Sequence, residues 1–121
     1  MRILLLAAAL LTALAAPVQA DPVRTHVVDV VGLQFKPEVL HIKQGDKVKW
    51  VFKGPGVHSV RKGLDPSKPC KSMNEPNSGP KRPGQTFTYK FTRPIDYVYH
   101  SDVDGDCYKG MMGKIIIDGE G

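Results

Sequence analysis

Residues 94–118, PIDYVYHSDVDGDCYKGMMGKIIID, constrain the fold of this 121-residue chain more than any other stretch. Tyr97, Tyr99 and Ser101 alternate with Val98, His100 and Asp102, the two-residue period of a strand. Ile115-Ile116-Ile117 is a β-branched run after Gly113 and predicts a second strand. The loop between them is crowded with possible ligand atoms: Asp102, Asp104, Asp106, Cys107, Met111 and Met112. Two strands that grip such a loop are the means by which a small β-sandwich builds a metal site.

The rest of the chain reads as strands and turns. Thr25–Val31 is a strand with both faces largely apolar, and Val39–Ile42 is another after the Pro37 turn. In KVKWVF, Val48, Trp50 and Phe52 share one face, with Lys47, Lys49 and Val51 on the other. Trp50 is a candidate core residue. In QTFTYKFT, residues 85–92, Phe87, Tyr89 and Phe91 share a face. From Leu64 to Gly84 the chain has no period and is rich in Pro, Lys, Ser, Asn and Gly, which predicts a long surface loop tethered by Cys70. No helix of useful length and no internal repeat is found.

Residues 1–20 read as a secretory signal peptide: Arg2, an apolar run from Ile3 to Ala16, and the small-residue cleavage site Val18-Gln19-Ala20. It is too short for a membrane span. The mature chain, 21–121, is expected to be one periplasmic or secreted domain without a membrane span, and a monomer. It carries 16 basic and 12 acidic residues, a net +4. That suits an acidic protein partner and is too weak, and too poor in interleaved aromatics, for nucleic acid. The two cysteines, Cys70 and Cys107, favour a disulfide in an oxidising compartment, worth roughly 3–5 kcal/mol in the chain-entropy model. The alternative is a thiolate ligand or reactive thiol.

The ordered set Phe35-x-Pro37, Leu40, Gly45-Asp46-x-Val48-x-Trp50, Val57-His58-Ser59-Val60, Tyr97-x-Tyr99-x-Ser101 and Gly110-Met111-Met112-Gly113 resembles the cupredoxins, the blue copper proteins. The likeness is greatest to the plastocyanin-like and phytocyanin-like members and spans most of the mature chain. The resemblance implies an all-β, Greek-key β-sandwich of about seven to eight strands, with copper binding and one-electron transfer as the family role. It implies metal positions at His58, Asp106 and Met111, and a Cys70–Cys107 disulfide. The ligand set is degenerate. Ser101 stands where the family has its copper thiolate, and Asp106 where it has its second ligand His. A hydroxyl is a poor, hard donor, and a carboxylate suits Cu(II) better than Cu(I). An atypical copper site is therefore expected, with an acidic redox or copper-handling protein as its partner. The alternative is a metal-free cupredoxin-fold binding or structural module, with Lys68, Lys71, Lys81 and Arg82 as its contact surface.

Other readings of these residues are weaker. Cys107 as thiolate would have to leave Cys70. His100 should point away from the site by strand alternation and lie at the surface. His26 and His41 read as structural or surface residues, and Met112 as packing. The DVDGD run lacks the terminal Glu and flanking helices of a calcium-binding EF-hand and reads as an acidic turn. No nucleophile elbow, phosphate loop or zinc motif is present, so no enzyme is expected.

Overall fold

The computed structural model describes residues 22–118; the expected signal peptide lies outside the described residues. Nine strands form two sheets: β1 Thr25–Val31, β2 Gln34–Lys36, β3 Val39–Lys43, β4 Lys47–Gly54, β5 Arg61–Asp65, β6 Lys68–Asn77, β7 Thr86–Lys90, β8 Tyr97–His100 and β9 Met112–Asp118. One sheet has the order β2-β1-β4-β7 and the other β3-β9-β8-β5-β6. Within them β1 runs parallel to β4, and β3 parallel to β9. The two sheets pack as a β-sandwich.

Alternation decides which side chains enter the core. Val48, Trp50 and Phe52 of β4 are buried, as are Val28 and Val30 of β1 and Tyr97 and Tyr99 of β8. Each such side chain contributes about 1.5–3 kcal/mol by leaving water. Trp50 meets Tyr99 edge-on at 5.4 Å, and Phe35 meets it edge-on at 4.7 Å. Edge-to-face geometry places positive ring edges on negative ring faces. Gly113, opposite Tyr99 on β9, leaves room for that ring, since a Cβ there would overlap it.

The long loop expected over Leu64–Gly84 is instead largely a hairpin, β5 and β6. Asp65 closes its turn, its Oδ1 accepting from Ser67 N at 2.8 Å and Lys68 N at 3.0 Å. Gly63 lies so close to the Pro69 carbonyl that no side chain would fit between them. The register shifts twice along this pair, and β6 is an edge strand. Its two prolines are tolerable there because an edge strand has one row of unpaired N–H groups. Only residues 78–85 remain as a connecting segment. It passes beside β4, with Gly84 N donating to Phe52 O at 2.7 Å.

Candidate functional site

His58 follows the turn that ends β4. Its backbone forms an isolated antiparallel bridge with Lys81, His58 N to Lys81 O at 3.1 Å and Lys81 N to His58 O at 2.8 Å. Gly56, at φ 88°, brings backbone close to the imidazole, where a Cβ would stand 3.2 Å from Nε2. Nε2 lies 2.9 Å from the Pro55 carbonyl oxygen. A carbonyl only accepts, so Nε2 carries a hydrogen and the ring is anchored with Nδ1 facing inward.

Nδ1 meets Asp106 Oδ2 at 2.8 Å. Ser101, just past β8, donates its hydroxyl to the same oxygen at 2.7 Å. Asp106 opens a single 3₁₀ turn, Asp106–Lys109, whose next residue is Cys107. The Cys70–Cys107 disulfide ties that turn to β6. Met111, fully buried, closes the loop through its backbone, with Met111 N donating to Asp106 O at 3.2 Å and Ser101 N donating to Met111 O at 3.3 Å.

The network continues through Ser59. Its N–H donates to Ser101 Oγ at 3.0 Å, and its hydroxyl to Asp102 Oδ1 at 2.6 Å. Arg61 Nη1 reaches Asp102 Oδ2 at 3.3 Å. Ser59 and Ser101 are fully buried, and His58 and Asp106 are 7% and 5% exposed. With Nε2 protonated, the short Nδ1–Oδ2 contact holds a second proton between imidazole and carboxylate. The arrangement is thus a buried, charge-assisted hydrogen bond, reinforced by a hydroxyl on the same oxygen.

This donor set does not fit a type 1 copper centre, which needs two imidazoles and a thiolate around a weak axial ligand. The side chains that meet here are one imidazole, one carboxylate and one hydroxyl. Donors that share a tetrahedral ion at about 2.0–2.1 Å stand roughly 3.3 Å apart. The contacts of 2.8 and 2.7 Å are hydrogen-bond distances instead. Among the described residues no three His, Cys, Asp or Glu side chains gather as a metal-holding set.

The remaining candidates lie elsewhere. His100 faces away from the network, as alternation requires, yet it is buried rather than at the surface. It is only 1% exposed, and its Nε2 is 3.1 Å from Ser72 Oγ on β6. Burial pushes its pKa below the ordinary value, against the pull of Asp102. His26 pairs with Asp46 at 2.9 Å and His41 with Asp118 at 3.0 Å, away from the site. Burial alone would raise the Asp46 carboxyl. Hydrogen bonds from His26 and from the Lys43 and Arg24 backbone outweigh it and hold the pKa below normal. Asp104 and Gly105, both at positive φ, make the DVDGD run a turn. Ser59 and the Lys81 strap are the parts of the site that sequence reasoning missed. Both act through pairings more than twenty residues apart, which no local motif records.

No family model matches the sequence. Solved structures do resemble the fold. A purple cupredoxin from Nitrosopumilus maritimus superposes with TM-score 0.65 at 18% identity, over 77% of this chain and 99% of that one. A variant of amicyanin in its reduced Cu(I) form at pH 4 gives TM-score 0.60 at 23% identity, over 83% and 86%. An oxidised amicyanin variant gives 0.59 at 22%, over 77% and 81%. The fold is therefore cupredoxin-like.

Proposed function

We propose that this is an exported cupredoxin-fold binding module in which a hydrogen-bonded polar network takes the place of a type 1 copper centre. The observation that carries this reading is the single oxygen, Asp106 Oδ2, that accepts from both His58 and Ser101. Donors that satisfy one another offer a metal little unless they first separate. On this reading the chain acts neither as a blue-copper electron carrier nor as an enzyme: the Ser101 hydroxyl donates to the Asp106 carboxylate and not to an imidazole that would draw its proton. As a monomer it would meet an acidic protein partner through Lys68 and Lys71, exposed on β6, and Arg82 beside the His58 strap.

A second reading is a thiolate-free Cu(II) site for copper binding or handling. The Nε2–Pro55 bond favours it, because a backbone carbonyl that accepts from one ring nitrogen orients the other toward a metal. His58 and Asp106 would hold the ion, with Met111 nearby, and the ion would displace the shared proton. Copper would supply a one-electron couple, but a carboxylate favours Cu(II) over Cu(I) and suits fast cycling poorly.

Titration of the mature protein with Cu(II) and Cu(I), followed by optical and electron paramagnetic resonance spectra, separates the two. No binding beyond that of a His58→Gln variant supports the metal-free module. Stoichiometric Cu(II) binding with a wide-hyperfine spectrum, lost in that variant, replaces it with the copper-handling reading. An intense thiolate-to-copper absorption refutes both, since it requires a free Cys107.

A further inference from the structure

The outward face of the four-stranded sheet is not the neutral surface that a folding argument alone would give. Its side chains are the residues of β1, β2, β4 and β7 that alternate with the buried ones. Five are lysines, Lys36, Lys47, Lys49, Lys53 and Lys90, and one is acidic, Asp29. The face thus carries a net +4. The mature chain as a whole is also +4, so its other charges cancel, eleven basic against eleven acidic. All of the mature chain's excess formal charge is carried by the outward residues of these four strands.

The placement works against stability. Lys47 stands directly opposite Lys90 in the antiparallel β4–β7 ladder, and Lys49 follows two residues on, on the same face. Like charges directly opposite one another destabilise a sheet. Among the described residues only Lys53 of the five makes an ion pair, with Asp29 at 3.8 Å. Beside Lys49 in the register lies Val27, 51% exposed.

We propose that this face docks on an anionic phospholipid bilayer. The cations are lysines without arginine, point charges on flexible stems that read no particular geometry. The face has no aromatic side chain. Specific protein interfaces are centred on aromatic and Arg anchors and are depleted in lysine. Lys47 and Lys90, about 4.8 Å apart across strands, and Lys49, about 6.8 Å along from Lys47, form a cluster that Lys36 and Lys53 extend over the face, and such a spread of point charges matches a diffuse sheet of headgroup charge. Each lysine near such a surface is worth about a five-fold gain in binding. The molecule would approach lysine face first, because its charge is one-sided. None of this depends on what fills the His58–Asp106 position.

The test uses protein exported from its host and shown by mass to begin at Asp21, so that the apolar signal segment contributes nothing. Co-sedimentation is measured with phosphatidylcholine vesicles and with vesicles in which about a third of the lipid is phosphatidylglycerol. Binding is expected only to the second, falling steeply as salt is raised. Lys47→Glu with Lys90→Glu takes the face from +4 to zero and should weaken binding by several hundred-fold. Lys90→Glu alone should weaken it about 25-fold and raise the unfolding midpoint, because it sets a carboxylate opposite Lys47. Loss of binding would then accompany a sounder fold. Lys68→Glu with Lys71→Glu makes the same change in net charge on β6 and should leave binding nearly intact. Equal loss in that control overturns the assignment of the face. So does absence of vesicle binding, whether the wild type then binds duplex DNA, an acidic protein or nothing.

Discussion

Asp106→Ala removes the one oxygen on which the site converges, and its effect can be worked out in advance. His58 Nδ1 and the Ser101 hydroxyl both lose their acceptor in a region where His58 is 7% and Ser101 0% exposed. Breaking a buried charged pair by removing one partner costs about 3–5 kcal/mol, because the other is left uncompensated. His58→Ala strands the carboxylate in the same way and should cost a similar amount. The double variant removes both groups, so its cost should fall well short of the sum. A coupling of about 2–3 kcal/mol is expected for residues in direct contact. Urea unfolding in buffer treated with chelator gives all four corners of the cycle, and an unchanged slope shows that the native and denatured states stay comparable. Near 60 °C each kcal/mol is about 4–8 °C for a domain of this size, so thermal unfolding gives a second reading. A coupling below about 0.5 kcal/mol would refute the reasoning: the pair would then behave as a surface ion pair does.

Three further outcomes follow from the same geometry. Gly113→Ala places a methyl group against the Tyr99 ring, which Phe35 and Trp50 hold in place, and should cost about 1–3 kcal/mol or more by urea unfolding. Reduction of Cys70–Cys107, or its replacement by two alanines, opens a loop of 37 residues and should cost about 4 kcal/mol in the chain-entropy model, read as a fall in the unfolding midpoint. His100 has its pKa lowered in the fold, so the unfolded chain takes up its proton first; stability should fall as pH drops below about 6.5, and His100→Gln should flatten that part of the pH profile.

The sequence made some of these elements legible and hid others for physical reasons. β4 and β7 could be read because one face of each packs on the core and the other meets water, so a two-residue period survives in Val48-x-Trp50-x-Phe52 and Phe87-x-Tyr89. β5 and β6 could not. Their burial is partial and irregular, the register shifts twice, and β6 contains Pro69 and Pro76. An edge strand of that kind is chemically a loop with a partner. At the site, the turn residues around Met111 and the His58 segment marked which two loops would meet. What they would do on meeting was not legible, because it depends on Ser59, Lys81 and a shared oxygen. Tertiary pairing brings these together.

The correspondence between Ser101, Asp106 and metal-ligand positions can itself be tested, by Ser101→Cys combined with Asp106→His. The Pro55 carbonyl holds the His58 ring through Nε2 and leaves Nδ1 directed at both substituted positions. The double substitution removes the carboxylate that satisfies Nδ1 and supplies a thiol and a second imidazole around the same point. Without metal this variant should be less stable than the parent, by about the 3–5 kcal/mol expected for stranding a buried partner. Cu(II) should return that stability and more, since a ligand that binds only the native state stabilises it in proportion to its affinity. An intense visible band should appear with it, of the kind that only a copper–thiolate bond gives. The Cys70–Cys107 disulfide keeps the existing cysteines out of the reaction. A folded variant that takes up Cu(II) without that band would mean that positions 101 and 106 do not face one shared point. The 2.7 Å contact from Ser101 to Asp106 would then have no bearing on a metal site, and the likeness to copper proteins would be one of scaffold alone.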